Sequence, residues 1–143
     1  MSNIIIKTPE QIEGIRLASR LTADVLEMIT PFVVAGVTTE ALDNKMNEFI
    51  INELGAVSAC IGYGHPPYTK CTCISINHVV CHGVPSDKVL KNGDILNIDV
   101  SIIKNGYFGD TSRMFMVGDV SIMAKKLVDV TYECLMLAIE EVK

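Results

Sequence analysis

The sequence predicts an α/β domain of the α+β kind, in which two helices precede a strand-rich middle and a third helix follows it. Three observations carry this. Apolar residues recur at helical spacing over residues 12–29 and 42–54, and again over 127–138. Between them, from about residue 56 to 118, short β-rich runs alternate with loops punctuated by Gly64, Pro66, Pro67, Gly83, Pro85 and Asn92-Gly93. Finally, Asn105-Gly106 lies between two of these runs and is the strongest short-range signal of a β-hairpin, so part of the sheet is antiparallel. At 143 residues the chain reads as one domain, 1–143, with no repeat, linker or low-complexity segment. A chain of this length buries roughly 68–70% of its unfolded surface, enough for a core of its own.

The first helix opens at Thr8-Pro9-Glu10-Gln11. Thr8 supplies a capping oxygen, Pro9 suits the first helical position, and Gln11 completes a capping box. Ile12, Ile15, Ala18, Leu21, Val25, Leu26 and Ile29 then share a face until Pro31 closes the segment. A second helix begins near Thr38 and aligns Leu42, Met46, Phe49, Ile50 and Leu54, with Gly55 expected as the residue just past its end. Strands are expected over 73–76, 78–81, 95–103 and 113–117. The last helix starts at Ser121 and repeats Leu127, Val130, Thr131, Cys134, Leu135 and Ala138 at helical spacing. Nothing in its final residues, Ile139-Glu-Glu-Val-Lys143, supplies a Gly, Asn or Pro to stop it.

The hairpin turn fixes a register, and the register places two carboxylates together. With the turn at Asn105-Gly106, Lys104 faces Tyr107, Asp99 faces Ser112 and Asp110 faces Ser101. Side chains alternate faces along a strand, so Asp99 and Asp110 emerge on one face as diagonal neighbours, roughly 7–8 Å apart. Carboxylates converging from adjacent strands can bridge two divalent ions lying roughly 3.5–4 Å apart. Aspartate near a turn is more commonly just solvated. Asp99, however, is flanked in sequence by Ile95, Leu96, Ile98 and Val100, surroundings in which an unpaired carboxylate is costly. Two aspartates do not complete a pair of divalent sites, which need several more donors each. The remaining candidates are His65, His78 and His82, all upstream of the hairpin.

Composition excludes several function classes. No apolar run approaches the ~18 residues that a membrane-spanning helix needs, although 49% of residues are apolar and the mean hydropathy is +0.35. The opening Met-Ser-Asn-Ile-Ile-Ile-Lys lacks the basic-then-apolar layout of a signal peptide, so a cytoplasmic location is expected. A net charge of −5 with no Lys/Arg cluster argues against a nucleic-acid partner. The five cysteines, Cys60, Cys71, Cys73, Cys81 and Cys134, are odd in number and form no disulfide framework. Cys71-Thr-Cys73 with His78 and His82 is a poor match to the ligand spacing of structural zinc sites.

Three ordered blocks carry a family resemblance. They are Cys73-Ile-Ser-Ile-Asn-His-Val-Val-Cys-His-Gly-Val-Pro85, then Gly93-Asp-Ile-Leu-Asn-Ile-Asp-Val-Ser101, then Gly109-Asp-Thr-Ser-Arg-Met-Phe-Met-Val-Gly118. Together they resemble the bacterial type I methionine aminopeptidases, and the likeness runs from Ile6 to the last residue. The resemblance implies one half, the N-terminal one, of a pita-bread fold, in which an antiparallel sheet is flanked by helices and two pseudo-symmetric halves close around a dinuclear metal site. It implies that Asp99 chelates one ion and Asp110 bridges both, the ions being cobalt, manganese, iron or zinc. It assigns His82 to the substrate and the reacting centre. Cys60, Tyr63, Tyr68 and Cys73 resemble residues lining the pocket for the methionine side chain, where soft, polarizable contacts suit a thioether. The segment 64–73 is two residues longer than usual, which loosens the match at Tyr68. Asn77 and Val79 resemble backbone contributors to a monovalent-cation site. His78 stands where relatives commonly carry glutamate.

The chain departs from that family in length. Family members are about twice as long, and the resemblance assigns to their second half three further metal ligands, a second histidine and the glutamate that acts as general base. The implied partners are peptides and nascent chains beginning with methionine. The expected consequences for this chain are weak metal binding, little or no turnover, and self-association through an uncovered sheet face. Two other readings stay open: a non-catalytic homologue that acts as a binding module, and one half of a split enzyme.

Overall fold

The computed structural model describes residues 4–142; the first three residues and Lys143 lie outside the described part. The elements run α1 (Pro9–Ile29), a 3-10 turn (Thr30–Phe32), α2 (Thr39–Asn52), β1 (Val57–Ser58), β2 (Cys73–Ile76), β3 (Ile95–Lys104), β4 (Tyr107–Met116) and α3 (Ile122–Glu140).

Helix starts follow the expected capping chemistry. Thr8 Oγ1 accepts from the Gln11 amide at 3.3 Å, and Gln11 Oε1 accepts from the Thr8 amide at 2.9 Å, so the capping box is formed. Thr38 and Ser121 cap α2 and α3 through the amides of Ala41 and Ala124. The end of α2 falls one residue earlier than Gly55 suggests. Glu53 is the cap residue, and Gly55, at φ 54°, turns the chain so that the Ala56 amide donates to the Ile50 carbonyl at 2.9 Å.

All strand pairing is antiparallel. β3 is the central strand: one edge pairs with β4 along its whole length, and the other is shared end to end by the short β1 and β2. The hairpin turns at Asn105 (φ 53°) and Gly106 (φ 80°), both left-handed as a type I′ turn requires. Asp99 faces Ser112 and Ser101 faces Asp110, the predicted register. β4 is longer than the β-rich run 113–117 because pairing begins at the turn itself.

The strand expected over 78–81 does not form. Asn77 adopts φ 54° and the Val79 amide bonds back to the Ile76 carbonyl at 3.1 Å, so the chain turns away after β2. Val80, 90% exposed, packs on nothing that a strand would cover. The Asn77 side chain holds this turn, with Oδ1 accepting from the Ile95 amide and Nδ2 donating to Asp94.

The two faces of the sheet differ. Leu96, Ile98, Val100 and Ile102 of β3 are fully buried and meet Val25, Leu26 and Ile29 of α1 and Leu42, Met46 and Ile50 of α2 in one core. α1 crosses β4 at Gly109, where a Cβ would collide with the Ala18 carbonyl and the Thr22 hydroxyl. The opposite face carries Asp99, Ser101, Phe108 and Asp110, all at least partly exposed.

α3 departs from expectation. Its residues Leu127, Val130, Thr131, Cys134, Leu135 and Ala138 have helical spacing, yet every one of them is exposed and the helix buries none of its described residues. It ends at Glu140, with Glu141 as cap, rather than running on to the last residue.

Candidate metal centre and adjoining pocket

Asp99 and Asp110 meet as diagonal neighbours on the open face of the hairpin, close enough that the Asp110 carboxyl acts directly on that of Asp99. Burial pushes the Asp99 carboxyl above the ordinary carboxylate range, and the like charge of Asp110 adds to the rise, while His82 opposes it. A half-buried Asp99 carboxyl beside a second carboxyl is a favourable place for a cation, which would offset both the burial and the repulsion.

The donor set bears on which cation this could be. Two hard carboxylate oxygens with a nearby imidazole suit divalent first-row metals. Among the described residues, however, no group of three or more His, Cys, Asp or Glu side chains is arranged to hold a metal ion. The pair therefore fits part of a metal site and leaves most of the coordination shell to other donors.

His82 reaches the same space through a loop closure. Ile74 of β2 donates to the Gly83 carbonyl at 2.8 Å, and the Gly83 amide donates to Ser75 Oγ at 3.0 Å. At Gly83 a Cβ would collide with the Ile74 carbonyl, so only glycine lets the loop lie this close. His82, at φ 55°, is turned from this anchor toward the pocket.

The pocket beside the aspartates has a volume of about 490 Å³. Cys60, Tyr63, Tyr68, Cys73, His82, Asp99 and Asp110 all line it. Tyr68, insecurely matched on sequence, is held there by donating from its hydroxyl to the Thr72 carbonyl at 3.0 Å. Burial pushes its phenol upward, so it stays neutral at physiological pH, and the Cys73 thiol beside it acts in the same direction. The Cys60 and Cys73 thiols are neighbours in this lining; their interaction lowers Cys73 and raises Cys60.

Asn77 and Val79 do not line this pocket. They sit in the turn after β2, with Val79 beside a smaller cavity formed with Thr39, Ile74 and Gly83. His65 and His78 are exposed and also lie outside the pocket lining. Sequence reasoning missed Ala59, Pro66, Ser101, Phe108 and Gly109, which complete the lining. Parity could have found two of them, since Ser101 and Phe108 lie two positions from Asp99 and Asp110 on the same face.

An antiparallel hairpin presenting paired aspartates to a pocket with a histidine at its rim is the site class of a metallohydrolase. Residues 13–143 match the model of metallopeptidase family M24, and the chain belongs to that family. It is 58% identical over 142 residues to the methionine aminopeptidase of Escherichia coli strain K12. The matching stretch is 98% of this chain and 53% of the relative. The Haemophilus influenzae methionine aminopeptidase is 54% identical over 142 residues, again 98% of this chain and 52% of the relative.

Among solved structures, the methionine aminopeptidase from Thermotoga maritima superposes with a TM-score of 0.92 at 35% identity, covering 99% of this chain and 56% of that one. That from Rickettsia prowazekii gives 0.89 at 47% identity, covering 94% and 53%. The chain thus spans about half the length of the curated relatives it matches, and its fold is the N-terminal half of the pita-bread fold.

Proposed function

We propose that this chain is the N-terminal half of a dinuclear metallo-aminopeptidase that removes methionine from the start of peptides and nascent chains, acting in the cytoplasm. The observation that carries this is the pair of Asp99 and Asp110 carboxyl groups at the mouth of a pocket containing His82.

Asp99 and Asp110 would hold two divalent ions among cobalt, manganese, iron or zinc, which when bound supply a water acidic enough to attack a peptide carbonyl. His82, at the rim, donates a hydrogen bond to the carbonyl oxygen as negative charge gathers there. The methionine side chain enters between Cys60, Tyr63, Tyr68 and Cys73, whose sulfur atoms and rings suit a thioether. The neutral Tyr68 phenol donates to the Thr72 carbonyl, which fixes the ring in the pocket lining. Backbone carbonyls of Asn77 and Val79 serve a monovalent cation outside the pocket, holding the turn that leads to His82.

The resemblance assigns the remaining ligands and the general base to the second half of the fold, which this chain does not span. The exposure of α3 and of the open sheet face supports this reading over a self-sufficient enzyme. It also supports self-association of the chain on its own. No membrane or nucleic-acid partner is expected.

The test is hydrolysis of a Met-Ala-Ser peptide with added manganese or cobalt. The chain is assayed alone, and then mixed with the second half of the Escherichia coli relative. The chain alone should not exceed the Asp99→Ala, Asp110→Ala control, and the mixture should. A mixture that forms a complex yet turns over no faster than the control would favour a non-catalytic binding module.

A further inference from the structure

We propose that Cys60 and Cys73 form a redox-active dithiol, whose oxidation by a small-molecule disulfide ties off the neck of the loop 61–72 and withdraws both thiols from the pocket. The inference concerns the thiols themselves and stands whether or not the chain is catalytic.

Strand register puts the two cysteines together. β1 and β2 occupy one edge of β3, both antiparallel to it, with Ser58 opposite Ile102 and Cys73 opposite Asp99. The Ala59 amide continues the first ladder by donating to the Ser101 carbonyl at 2.9 Å. Ala59 and Cys73 therefore face positions two apart on β3, about 7 Å along the strand, and Cys60 falls in the gap between them. β1 and β2 are in effect one edge strand interrupted by an excursion, and the cysteines flank the interruption.

The neck is already drawn tight. Ser58 Oγ donates to the Cys71 carbonyl at 2.7 Å and accepts from the Cys60 amide at 3.0 Å, spanning the two arms. The loop closes on itself above this point, with the Gly62 amide donating to the Tyr68 carbonyl and the Tyr68 amide to the Tyr63 carbonyl, both at 2.8 Å. These bonds hold the arm that carries Cys60 against the arm that carries Cys73. Both cysteines line the same cavity.

The other cysteines are not competitors. Cys71 is closer to Cys73 in sequence, but it lies two percent exposed in the hydrophobic core. Cys81 and Cys134 are exposed and line neither the pocket nor the neck. Cys60 and Cys73 are each half-buried and reachable through the open pocket.

The chemistry is thiol–disulfide exchange with glutathione disulfide as the oxidant. One cysteine, as its thiolate, attacks a glutathione sulfur; the S–S bond of glutathione breaks, a protein–glutathione disulfide forms, and one glutathione leaves and takes up a proton. The second cysteine attacks the protein sulfur of that mixed disulfide and releases the second glutathione. Two protein thiols have then lost two protons and two electrons, and one glutathione disulfide has taken them up to become two glutathiones. The loop carrying Tyr63, Pro66 and Tyr68 is left clamped at its base.

The experiment is to equilibrate the native chain in glutathione buffers of graded redox poise, quench with an alkylating agent, digest without reductant and analyse by mass spectrometry. The expected result is a Cys60–Cys73 cross-linked peptide as the first oxidised species, with Cys71 alkylated only after denaturation. Cys60→Ser should instead accumulate glutathione on Cys73, and Cys60→Ala should do the same if serine disturbs the fold. Proteolysis within the loop should slow several-fold on oxidation and recover on reduction, an effect absent from both variants. Separate glutathione adducts on Cys60 and Cys73 without a bond between them would overturn the proposal. So would first-formed bonds at Cys81 or Cys134, or the same redox-dependent protection in the Cys60 variants.

Discussion

Asp99 and Asp110 are diagonal neighbours on the β3–β4 ladder, Asp99 opposite Ser112 and Asp110 opposite Ser101, and both carboxyl groups emerge on the open face of the sheet. Asp99 is half-buried, and the neighbouring Asp110 opposes its ionisation. The arrangement carries an electrostatic cost that a bound cation would offset.

That cost is measurable. The Asp99 carboxyl is raised by burial and by Asp110, so its contribution to stability is greatest when it is protonated and declines as pH rises through the folded-state value. At neutral pH and with metal chelated, Asp99→Asn should therefore stabilise the chain. Allowing for solvent screening at a half-exposed group, the gain is on the order of 0.5 kcal/mol. Thermal unfolding in chelator, wild type against variant, checks the direction; a lower melting temperature for Asp99→Asn would contradict it.

Asp94 should behave in the opposite sense. Burial raises its carboxyl, but the Asn77 amide, the Lys91 backbone amide and two lysines outweigh this and hold it below the ordinary range. Its contribution is thus present above the ordinary carboxylate pKa and lost as pH falls through the lowered folded-state value. Asp94→Ala should reduce stability at pH 7 and flatten the acid limb of the stability profile, measured by urea unfolding at a series of pH values. Parallel acid limbs for wild type and variant would refute this.

The helix–sheet contact at Gly109 makes a sharper prediction. A methyl group there meets the Ala18 carbonyl and Thr22, backbone and packed side chain that cannot swing away. Gly109→Ala should cost about 1–3 kcal/mol by overpacking. Denaturant unfolding reads it, and a loss below half a kilocalorie per mole would mean α1 is not seated on β4 as described.

These residues also mark what the sequence could disclose. The hairpin was legible because a type I′ turn at Asn105-Gly106 fixes the register, and register with side-chain parity brings Asp99 and Asp110 together. The helix starts were legible because each has a capping hydroxyl. The segment 78–81 misled because its apolar residues suit a strand, while Asn77 takes a left-handed conformation and ends β2. Helical spacing in α3 forecast an apolar face without saying what would cover it. His82, Cys60, Tyr63 and Tyr68 enter the pocket through loop closures between distant positions, which periodicity does not encode; the family resemblance points to all four, and of these the search for further metal donors reaches only His82.

α3 and the open sheet face should drive association of the isolated chain. Ile122, Met123, Leu127, Leu135, Leu137 and Ile139 are all more than half exposed, an apolar surface of a kind that monomers rarely leave uncovered. Sedimentation at micromolar concentration should show a dimer or larger species, and Leu127→Glu with Leu135→Glu should shift it toward monomer. A clean wild-type monomer would count against the account.

The most direct test of the central claim is manganese binding to the wild-type chain beside Asp99→Ala and Asp110→Ala, followed by loss of the free-ion electron paramagnetic resonance signal. The account predicts weak but saturable uptake by the wild type, abolished by either substitution, with both variants still folded by circular dichroism. Equal uptake by all three folded chains would show that the two aspartates are not a metal site.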